Sequence, residues 1–180
     1  MNYTIVSLRG ILAQTDSEDS VCALLNTFKC SRDHDREHFL WNLAIQFEKR
    51  CMSRTYLAVD VSDPSHILGY FSLGMKCLRL REDAPISRSM RNKMNVDSET
   101  DIAQSYLLGQ LGRSDDSPKG LGAMLLIDAL DLIRQSSEIV GCRVVRLDCS
   151  LNVESYYTSQ GWKRVGTNES RSLIQMAIVL

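Results

Sequence analysis

A glycine-containing segment at residues 117–123, with the sequence SPKGLGA, has the composition of a loop that binds an anion. It lies between an apolar run that is typical of a strand and a long pattern that is typical of an amphipathic helix. The first N–H groups of a helix have no intrahelical partner, and the helix dipole places positive charge there. Glycine has no Cβ to block an anion, and Lys119 adds a charge. The segment predicts a phosphate or pyrophosphate site, and a loop that serves packing alone is the alternative that the motif leaves open.

The elements on either side of this loop must hold it in place. Residues 106–111 predict a buried strand, and the interior Gly109 predicts a bulge or a close backbone approach. After the loop, apolar residues recur every three or four positions and predict a core-facing helix that ends near Gly141. This apolar stripe consists of Leu121, Leu125, Ala129, Leu132 and Ile133.

The rest of the chain predicts a mixed α/β fold. A turn signal at residues 62–65 separates two strand-like runs and predicts a hairpin. Residues 76–100 lack an apolar period and predict an inserted loop or short helix. Strands are predicted at residues 3–8, 54–61, 67–73, 142–149, 162–165 and 173–180, and helices around residues 17–28, at 34–51 and at 153–160. Strands that pair first by hairpin and later by helical crossover indicate a central sheet with helices on both faces.

The composition fits one intracellular domain that spans residues 1–180. The chain has 180 residues, 44% of them hydrophobic, which suits a single core. Its formal net charge of −1 gives no overall attraction to nucleic acid or to a membrane. The six cysteines include no CxxC pair, which is typical of reduced thiols. Because the N-terminus lacks the layout of a signal peptide and no apolar run reaches membrane-spanning length, we expect a soluble, cytoplasmic protein.

Cys30, His34 and His38 stand at four-residue steps, so on a helix they would line one face like the ligands of a transition metal. No fourth ligand is evident, and the charged residues around the two histidines are typical of a solvated helix start. We therefore predict no metal site.

Residues 76–93 form a basic segment with Glu82 and Asp83 as its acidic residues. Its cations could meet a phosphate of a coenzyme or an RNA backbone, although a solvated loop has the same composition. The basic residues are Lys76, Arg79, Arg81, Arg88, Arg91 and Lys93.

Three segments resemble the GNAT family of N-acetyltransferases and together cover nearly the whole chain. The glycine loop at residues 117–122 stands where that family has a (Gln/Arg)-x-x-Gly-x-(Gly/Ala) pyrophosphate loop, with Ser117 in place of the usual Gln or Arg. Residues 157–162, YTSQGW, resemble the late Tyr-x-x-x-Gly-Phe signature. Residues 28–57 resemble a GNAT subgroup that includes toxins of toxin–antitoxin pairs.

The resemblance implies a fold, a cosubstrate and a set of site residues. The fold would be a mixed, mostly antiparallel central sheet with a splayed pair of parallel strands and helices on both faces. The cosubstrate would be acetyl-CoA, and Tyr157 would lie beside its sulfur as the catalytic acid; a core aromatic side chain is the alternative for Tyr157. Cofactor-binding residues would be Leu111, Gly112, Arg113, Lys119, Gly120, Leu121, Gly122, Ala123 and Asn152. The short connection from Asp148 to Tyr157 leaves the role of Asn152 open.

The implied activity is transfer of an acetyl group to a primary amine by direct attack in a ternary complex. The acceptor would be a small molecule, a protein or, as in the toxin subgroup, aminoacyl-tRNA, and a toxin would have an antitoxin partner. A catalytically silent acyl-CoA-binding or partner-binding module is the alternative from another class. No general base is evident, because acids such as Glu99, Asp101 and Glu154 are typical of solvated surface. GNAT proteins are often dimers, so a homodimer is a further expectation.

Overall fold

The computed structural model describes residues 2–168 and 170–180, which divide into two compact units. Unit 1 comprises residues up to Gly74 together with Gly109–Leu132, and unit 2 comprises the described residues of Met75–Leu108 and Ile133–Leu180. The strands are β1 (Tyr3–Ser7), β2 (Ser53–Asp60), β3 (Ile67–Met75), β4 (Leu78–Arg79), β5 (Ile102–Ala103), β6 (Tyr106–Arg113), β7 (Val144–Cys149), β8 (Lys163–Thr167) and β9 (Ile174–Val179). The helices are α1 (Leu8–Ala13), α2 (Glu18–Leu25), α3 (His34–His38), α4 (Ala44–Lys49), α5 (Arg88–Lys93), α6 (Leu121–Ile139) and α7 (Leu151–Ser159).

The central sheet has the strand order β1-β2-β3-β6-β7-β9-β8. Neighbouring strands are antiparallel in the β1–β2, β2–β3, β7–β9 and β8–β9 pairs, whereas β6 and β7 are parallel. The parallel register covers two residue pairs, Tyr106 with Val145 and Leu107 with Arg146, although both strands are longer. This arrangement confirms the predicted mixed, mostly antiparallel sheet with its one parallel pair.

In unit 1 the predicted β2–β3 hairpin is present and packs against the N-terminal helices. Leu57 and Tyr70 are fully buried, and the Tyr70 ring makes an edge contact with Phe28 at 5.2 Å between ring centroids. The N-terminal region contains two helices instead of the one expected, since Ser7 caps α1 through the Gly10 N–H and Ser17 caps α2 through the Ser20 N–H. Burial of these apolar faces stabilises unit 1.

The helix predicted over residues 34–51 contains a π-helical turn at Phe39–Leu43, between α3 and α4. Periodicity did not reveal this turn, because one wide turn changes the apolar spacing by a single residue. The turn buries both Phe39 and Leu40. On its exposed side the Lys29 ammonium lies 4.3 Å from the centroid of the Trp41 ring, which is a cation–π contact.

In unit 2 the segment predicted as a loop or short helix contains both a helix, α5, and a small antiparallel sheet of β4 and β5. Leu78, Leu80 and Met94 of this segment are buried in a second hydrophobic cluster, which we call the satellite core of unit 2. These apolar residues are too few and too scattered to show a period, which explains why sequence analysis did not find the small sheet.

The buried side chain of Glu37 is expected to make the stability of the fold depend on pH. This buried carboxylate accepts the Cys30 N–H at 2.7 Å and contacts His34 Nδ1 at 3.0 Å, and the Cys30 hydrogen bond in particular lowers the pKa of Glu37. A lowered pKa in the folded state stabilises the fold above the unfolded pKa of about 4.3, and this stabilisation is lost as the pH falls through the folded value.

We expect Glu37→Gln to lower the free energy of unfolding by about 1 kcal/mol at pH 7 and to reduce the loss of stability between pH 5 and pH 3. Urea unfolding across this pH range measures both effects, with the exposed Glu82→Gln as control. Equal acid sensitivity of wild type and Glu37→Gln would contradict the assignment.

Candidate coenzyme and catalytic site

The glycine loop lies in unit 1 and leads directly into α6, as the sequence predicts. Gly120 has φ of +89°, a conformation that L side chains rarely adopt. The N–H of Leu121 donates to the Pro118 carbonyl at 3.3 Å, and the N–H of Ala123 donates to the Gly120 carbonyl at 3.1 Å. Among the described residues, the side chain of Arg113, at 4.0 Å, is the nearest group outside its own helix that a Cβ at Gly122 would meet, so the protein leaves space there.

Hydrogen bonds hold the residues immediately before the glycine loop. The N–H of Ser114 donates to the Leu68 carbonyl at 2.8 Å, and the N–H of Asp115 donates to the Lys29 carbonyl at 2.9 Å. The Asp116 carboxylate accepts from the Ser114 hydroxyl at 2.5 Å and lies 2.8 Å from Nε2 of His66. The loop is therefore fixed to β3 and to the segment after Phe28, which gives it a rigid starting point.

The two acidic residues in this stretch have partners that reduce their repulsion of an anion. The Asp115 carboxylate accepts the Ser31 N–H at 2.9 Å and lies 3.5 Å from the Arg32 guanidinium, and the backbone hydrogen bond in particular lowers the pKa of Asp115. The hydrogen bond from the Ser114 hydroxyl likewise lowers the pKa of Asp116. Both carboxylates are therefore satisfied within the protein before any ligand is considered.

Ser117 is buried and is used within the loop. Its hydroxyl donates to the Ser114 carbonyl at 2.6 Å and accepts from the Arg113 guanidinium, whose Nη1 lies at 3.3 Å. Arg113 also lies beside Gly122. The Arg113 guanidinium, from the end of β6, thus contacts Ser117, which occupies the position where the family motif has Gln or Arg. Sequence analysis missed this contact because Arg113 belongs to the preceding strand.

The end of β6 approaches β3 closely in unit 1. A Cβ at Gly69 would lie 2.8 Å from the Gly112 carbonyl oxygen and 2.7 Å from Leu125, so this position on β3 admits only glycine. A Cβ at Gly112 would meet the Tyr70 ring at 3.1 Å and Arg36 at 3.4 Å. Leu111 is half-buried in the same strand. Because positions 69 and 112 are both glycine, the backbone of residues 111–113 can lie in close contact with β3 and with Arg36.

Arg36 is a further polar side chain beside this strand that sequence analysis did not single out. Its Nη1 donates to the Gln110 side-chain oxygen at 2.5 Å, and its Nε lies 3.2 Å from the Asp33 carboxylate. The Tyr70 hydroxyl donates to the Arg36 carbonyl at 2.7 Å. The i,i+3 spacing of Asp33 and Arg36 was the one sequence signal that pointed to this arrangement.

Tyr157 lies in α7 of unit 2, and its aromatic ring packs among other rings. Its ring centroid is 5.9 Å from that of Trp162 and 5.2 Å from that of Tyr156, both in edge orientation. The backbone N–H of Trp162 donates to the Tyr157 carbonyl at 3.1 Å across a turn in which Gly161 has φ of +88°. The Tyr-x-x-x-Gly-Trp spacing therefore builds a helix end that fixes the Tyr157 ring.

Asn152 lies in the first turn of the same helix and is exposed. Two of the acids considered as bases have cationic partners: Glu154 lies 3.4 Å from Arg164, and Asp101 pairs with Arg91. Ion pairs of this kind are typical of acids at a protein surface.

The described residues contain neither a cluster of metal ligands nor a membrane span. Within residues 2–168 and 170–180, no group of three His, Cys, Asp or Glu side chains is placed to hold a metal ion, and no helix is long and apolar enough to cross a membrane.

No protein-family model and no curated protein matches this sequence. Solved structures match it over nearly its whole length. The toxin AtaT complexed with acetyl-methionyl-tRNAfMet is 21% identical, with a TM-score of 0.73 over 96% of this chain and 94% of that chain. A KacT variant in which one tyrosine is replaced by phenylalanine is 18% identical, with a TM-score of 0.73 over 97% and 94%.

An AtaT toxin carrying a tyrosine-to-phenylalanine change, bound to the C-terminus of the antitoxin AtaR and to acetyl-CoA, is 20% identical to this chain. The TM-score is 0.68 over 97% of this chain and 92% of that chain. At these identities the similarity is one of fold, so this chain has the fold of the AtaT and KacT toxins, and the GNAT fold expected from the sequence is confirmed.

Proposed function

We propose that this protein is an acetyl-CoA-dependent N-acetyltransferase, with its 180 residues forming a single catalytic domain. The observation that carries the proposal is a glycine loop at the start of α6 in a fold shared with AtaT, which has been crystallised with acetyl-CoA. In the reaction the acceptor amine attacks the thioester carbonyl, so a C–N bond forms and the C–S bond breaks. The amine loses a proton to solvent, and the departing thiolate gains one to give coenzyme A.

The coenzyme phosphates would bind at the N-terminus of α6. The amides of Leu121 and Ala123 already donate within the loop, so we assign phosphate binding to the amides of Lys119, Gly120 and Gly122. The side chains of Lys119 and Arg113 would add positive charge. The pantetheine arm would follow the backbone of Leu111, Gly112 and Arg113, whose amides would polarise the acetyl carbonyl. Asn152 is a further proposed coenzyme contact.

Tyr157 would donate the proton to the thiolate of coenzyme A. A phenol of ordinary pKa near 10 transfers a proton uphill to a thiolate whose conjugate acid has a pKa near 8.5, so the hydroxyl must lie close to the sulfur. Ring contacts with Trp162 and Tyr156 restrict the rotation of Tyr157 and so reduce the entropy that this positioning costs. The tyrosine-to-phenylalanine variants of AtaT and KacT are the same chemical change that would test this role.

We further propose aminoacyl-tRNA as the acceptor, and hence a cytoplasmic toxin held inactive by an antitoxin. Support comes from the AtaT complex with acetyl-methionyl-tRNAfMet and from the AtaT complex with the C-terminus of AtaR. The attacking group would be the α-amino group of the esterified amino acid. Its ordinary pKa near 7.7 leaves a large neutral fraction at physiological pH, so no dedicated general base is required. A homodimer remains a prediction.

The proposal predicts acetyl transfer from [14C]acetyl-CoA to aminoacyl-tRNA. A panel of separately charged tRNAs, a polyamine and a lysine peptide would be incubated with the protein, and acetyl incorporation would be measured for each. We expect incorporation into one or more aminoacyl-tRNAs at a rate well above that for the other amines. Incorporation into the peptide or polyamine alone would exclude the tRNA acceptor but keep the acetyltransferase. Tight acetyl-CoA binding without transfer to any amine would favour a silent coenzyme-binding module.

A further inference from the structure

Unit 2 contains an open cleft of about 550 Å³ that the proposed chemistry does not use. Four of its lining side chains are cationic, and among the described residues Asp148 is the one carboxylate that lines it. The cations are Lys76, Arg79, Arg81 and Arg146. A net charge of −1 for the whole chain therefore conceals a local concentration of positive charge.

Two of the cations, Arg79 and Arg81, come from a short segment in which buried and exposed residues alternate. Leu78 and Leu80 are buried in the satellite core of unit 2, so Arg79 and Arg81 point to the opposite side and are exposed. Arg79 ends β4, and Arg81 follows it by two residues. The segment therefore presents two neighbouring cations on its exposed side.

Hydrogen bonds hold this segment along its length. The N–H of Lys76 donates to the Ser105 carbonyl at 3.1 Å, and the N–H of Leu80 donates to the Asp101 carbonyl at 2.8 Å. Between these bonds, Arg79 pairs with Ile102 in the small sheet. The backbone that carries the exposed cations is therefore ordered before any ligand binds.

Arg146 is the fourth cation of the cleft, and contacts within the protein hold it in place. It is 2% exposed; its Nη1 donates to the Cys77 carbonyl at 3.1 Å and its Nη2 lies 2.5 Å from the Asp148 carboxylate. With the Gln175 amide oriented to satisfy both its atoms, its oxygen accepts from Arg146 Nη2 at 2.7 Å. Arg146 Nε is buried without a partner among the described residues. Arg146 and Asp148 form an ion pair within the cleft. Among residues 2–168 and 170–180, no ion pair joins Lys76, Arg79 or Arg81 to a carboxylate, so these three cations are the ones assigned to an external anion.

We propose that this cleft binds the phosphodiester backbone of the RNA acceptor, with Arg79 and Arg81 as the main phosphate contacts. Most of the lining residues are polar or charged, the cleft is open, and Lys76, Arg79 and Arg81 are long, exposed side chains. This arrangement suits a repeating anion better than a small buried one. Thr167, Asn168 and Ser170 also line the cleft; the Asn168 amide and the Ser170 hydroxyl already form hydrogen bonds within the protein, so we do not assign them phosphate contacts. The inference rests on the proposed aminoacyl-tRNA acceptor.

The experiment measures binding of deacylated tRNA by fluorescence anisotropy, which requires no acetyl transfer. Relative to wild type, we expect the double variant Arg79→Glu/Arg81→Glu to bind tRNA at least about tenfold more weakly near physiological salt. The slope of log K against log salt concentration should become shallower by about 1.5, as expected for two lost phosphate contacts. The neutral variant Arg79→Gln/Arg81→Gln should show a smaller loss in the same direction, with thermal unfolding confirming that both variants fold.

A matched double reversal on the neighbouring helix α5, Arg88→Glu/Lys93→Glu, controls for the change in overall charge. Both residues are exposed and neither lines the cleft. Equal losses in the two double variants would overturn the assignment to the cleft, as would unchanged tRNA affinity in the Arg79/Arg81 variants. Weaker acetyl-CoA binding with unchanged tRNA binding would assign the cleft to the coenzyme phosphates and would also overturn the inference. If wild type binds tRNA through the cleft but transfers no acetyl group to aminoacyl-tRNA, the cleft assignment is supported and the proposed function of acetyl transfer to aminoacyl-tRNA is overturned.

Discussion

Replacing Tyr157 with phenylalanine is expected to lower kcat for acetyl transfer by about 100-fold or more, because the departing thiolate loses its proton donor. The aromatic ring stays, so its edge contacts with Trp162 and Tyr156 and the stability of α7 should be preserved. Because the hydroxyl would act mainly in the transition state, KM for acetyl-CoA should change little. Steady-state kinetics with the aminoacyl-tRNA identified in the acceptor panel measures both quantities.

Tyr156→Phe is the matched control for this change. Tyr156 occupies the adjacent position of the same helix and is 37% exposed, so removal of its hydroxyl should leave kcat within about twofold of wild type. Equal activities of wild type and Tyr157→Phe would assign the acid to another group or to water. Equal losses in both variants would instead indicate a change in the packing of α7.

Gly120→Glu is expected to weaken acetyl-CoA binding by 100-fold or more, to the detection limit of calorimetry. Two effects combine: the new side chain occupies space next to the helix N-terminus, and its carboxylate repels the phosphates at short range. The backbone conformation, with φ of +89°, also costs about 1–2 kcal/mol for any residue with a Cβ. Binding and folding must therefore be measured separately, by titration with acetyl-CoA and by thermal unfolding.

The chain supplies two controls for the Gly120 variant. Gly161, in unit 2, has φ of +88°, so Gly161→Ala introduces a comparable backbone strain at a position that is not part of the glycine loop, and it should reduce stability without abolishing acetyl-CoA binding. Gly122→Ala adds a Cβ in the glycine loop where the protein leaves space, and should bind acetyl-CoA with near-wild-type affinity. If Gly120→Glu remained folded and bound acetyl-CoA as tightly as wild type, the coenzyme site would not lie at this loop.

Long periodic segments could be predicted from the sequence. The stripe through Leu121, Leu125 and Ala129 is buried as the helical spacing requires, and the turn at residues 62–65 does connect two antiparallel strands. The glycine loop was placed correctly at the start of α6, because its order of strand, loop and helix is encoded locally. These features depend on neighbours in sequence.

The details that sequence analysis missed depend on partners distant in sequence. The contact of Arg113 with Ser117 depends on how β6 ends, and the requirement for glycine at position 69 arises from the backbone of Gly112, 43 residues further along the chain. The π-helical turn before Ala44 replaces a regular turn without changing the overall apolar character of its helix. The alternation of Arg79 and Arg81 with buried leucines was hidden in a segment too short for a period to be detected.

The contrast between Gly69 and Gly122 has a consequence for redesign. A methyl group at position 69 would collide with backbone atoms, whereas at position 122 it would lie in open space beside a flexible arginine. The fold therefore requires glycine at position 69, whereas position 122, in the proposed coenzyme site, has room for a larger residue. Side chains of graded size at position 122 could reshape the proposed pocket while the scaffold stays intact, so that acyl-CoA analogues with altered phosphate or pantetheine groups are accepted in place of the natural coenzyme.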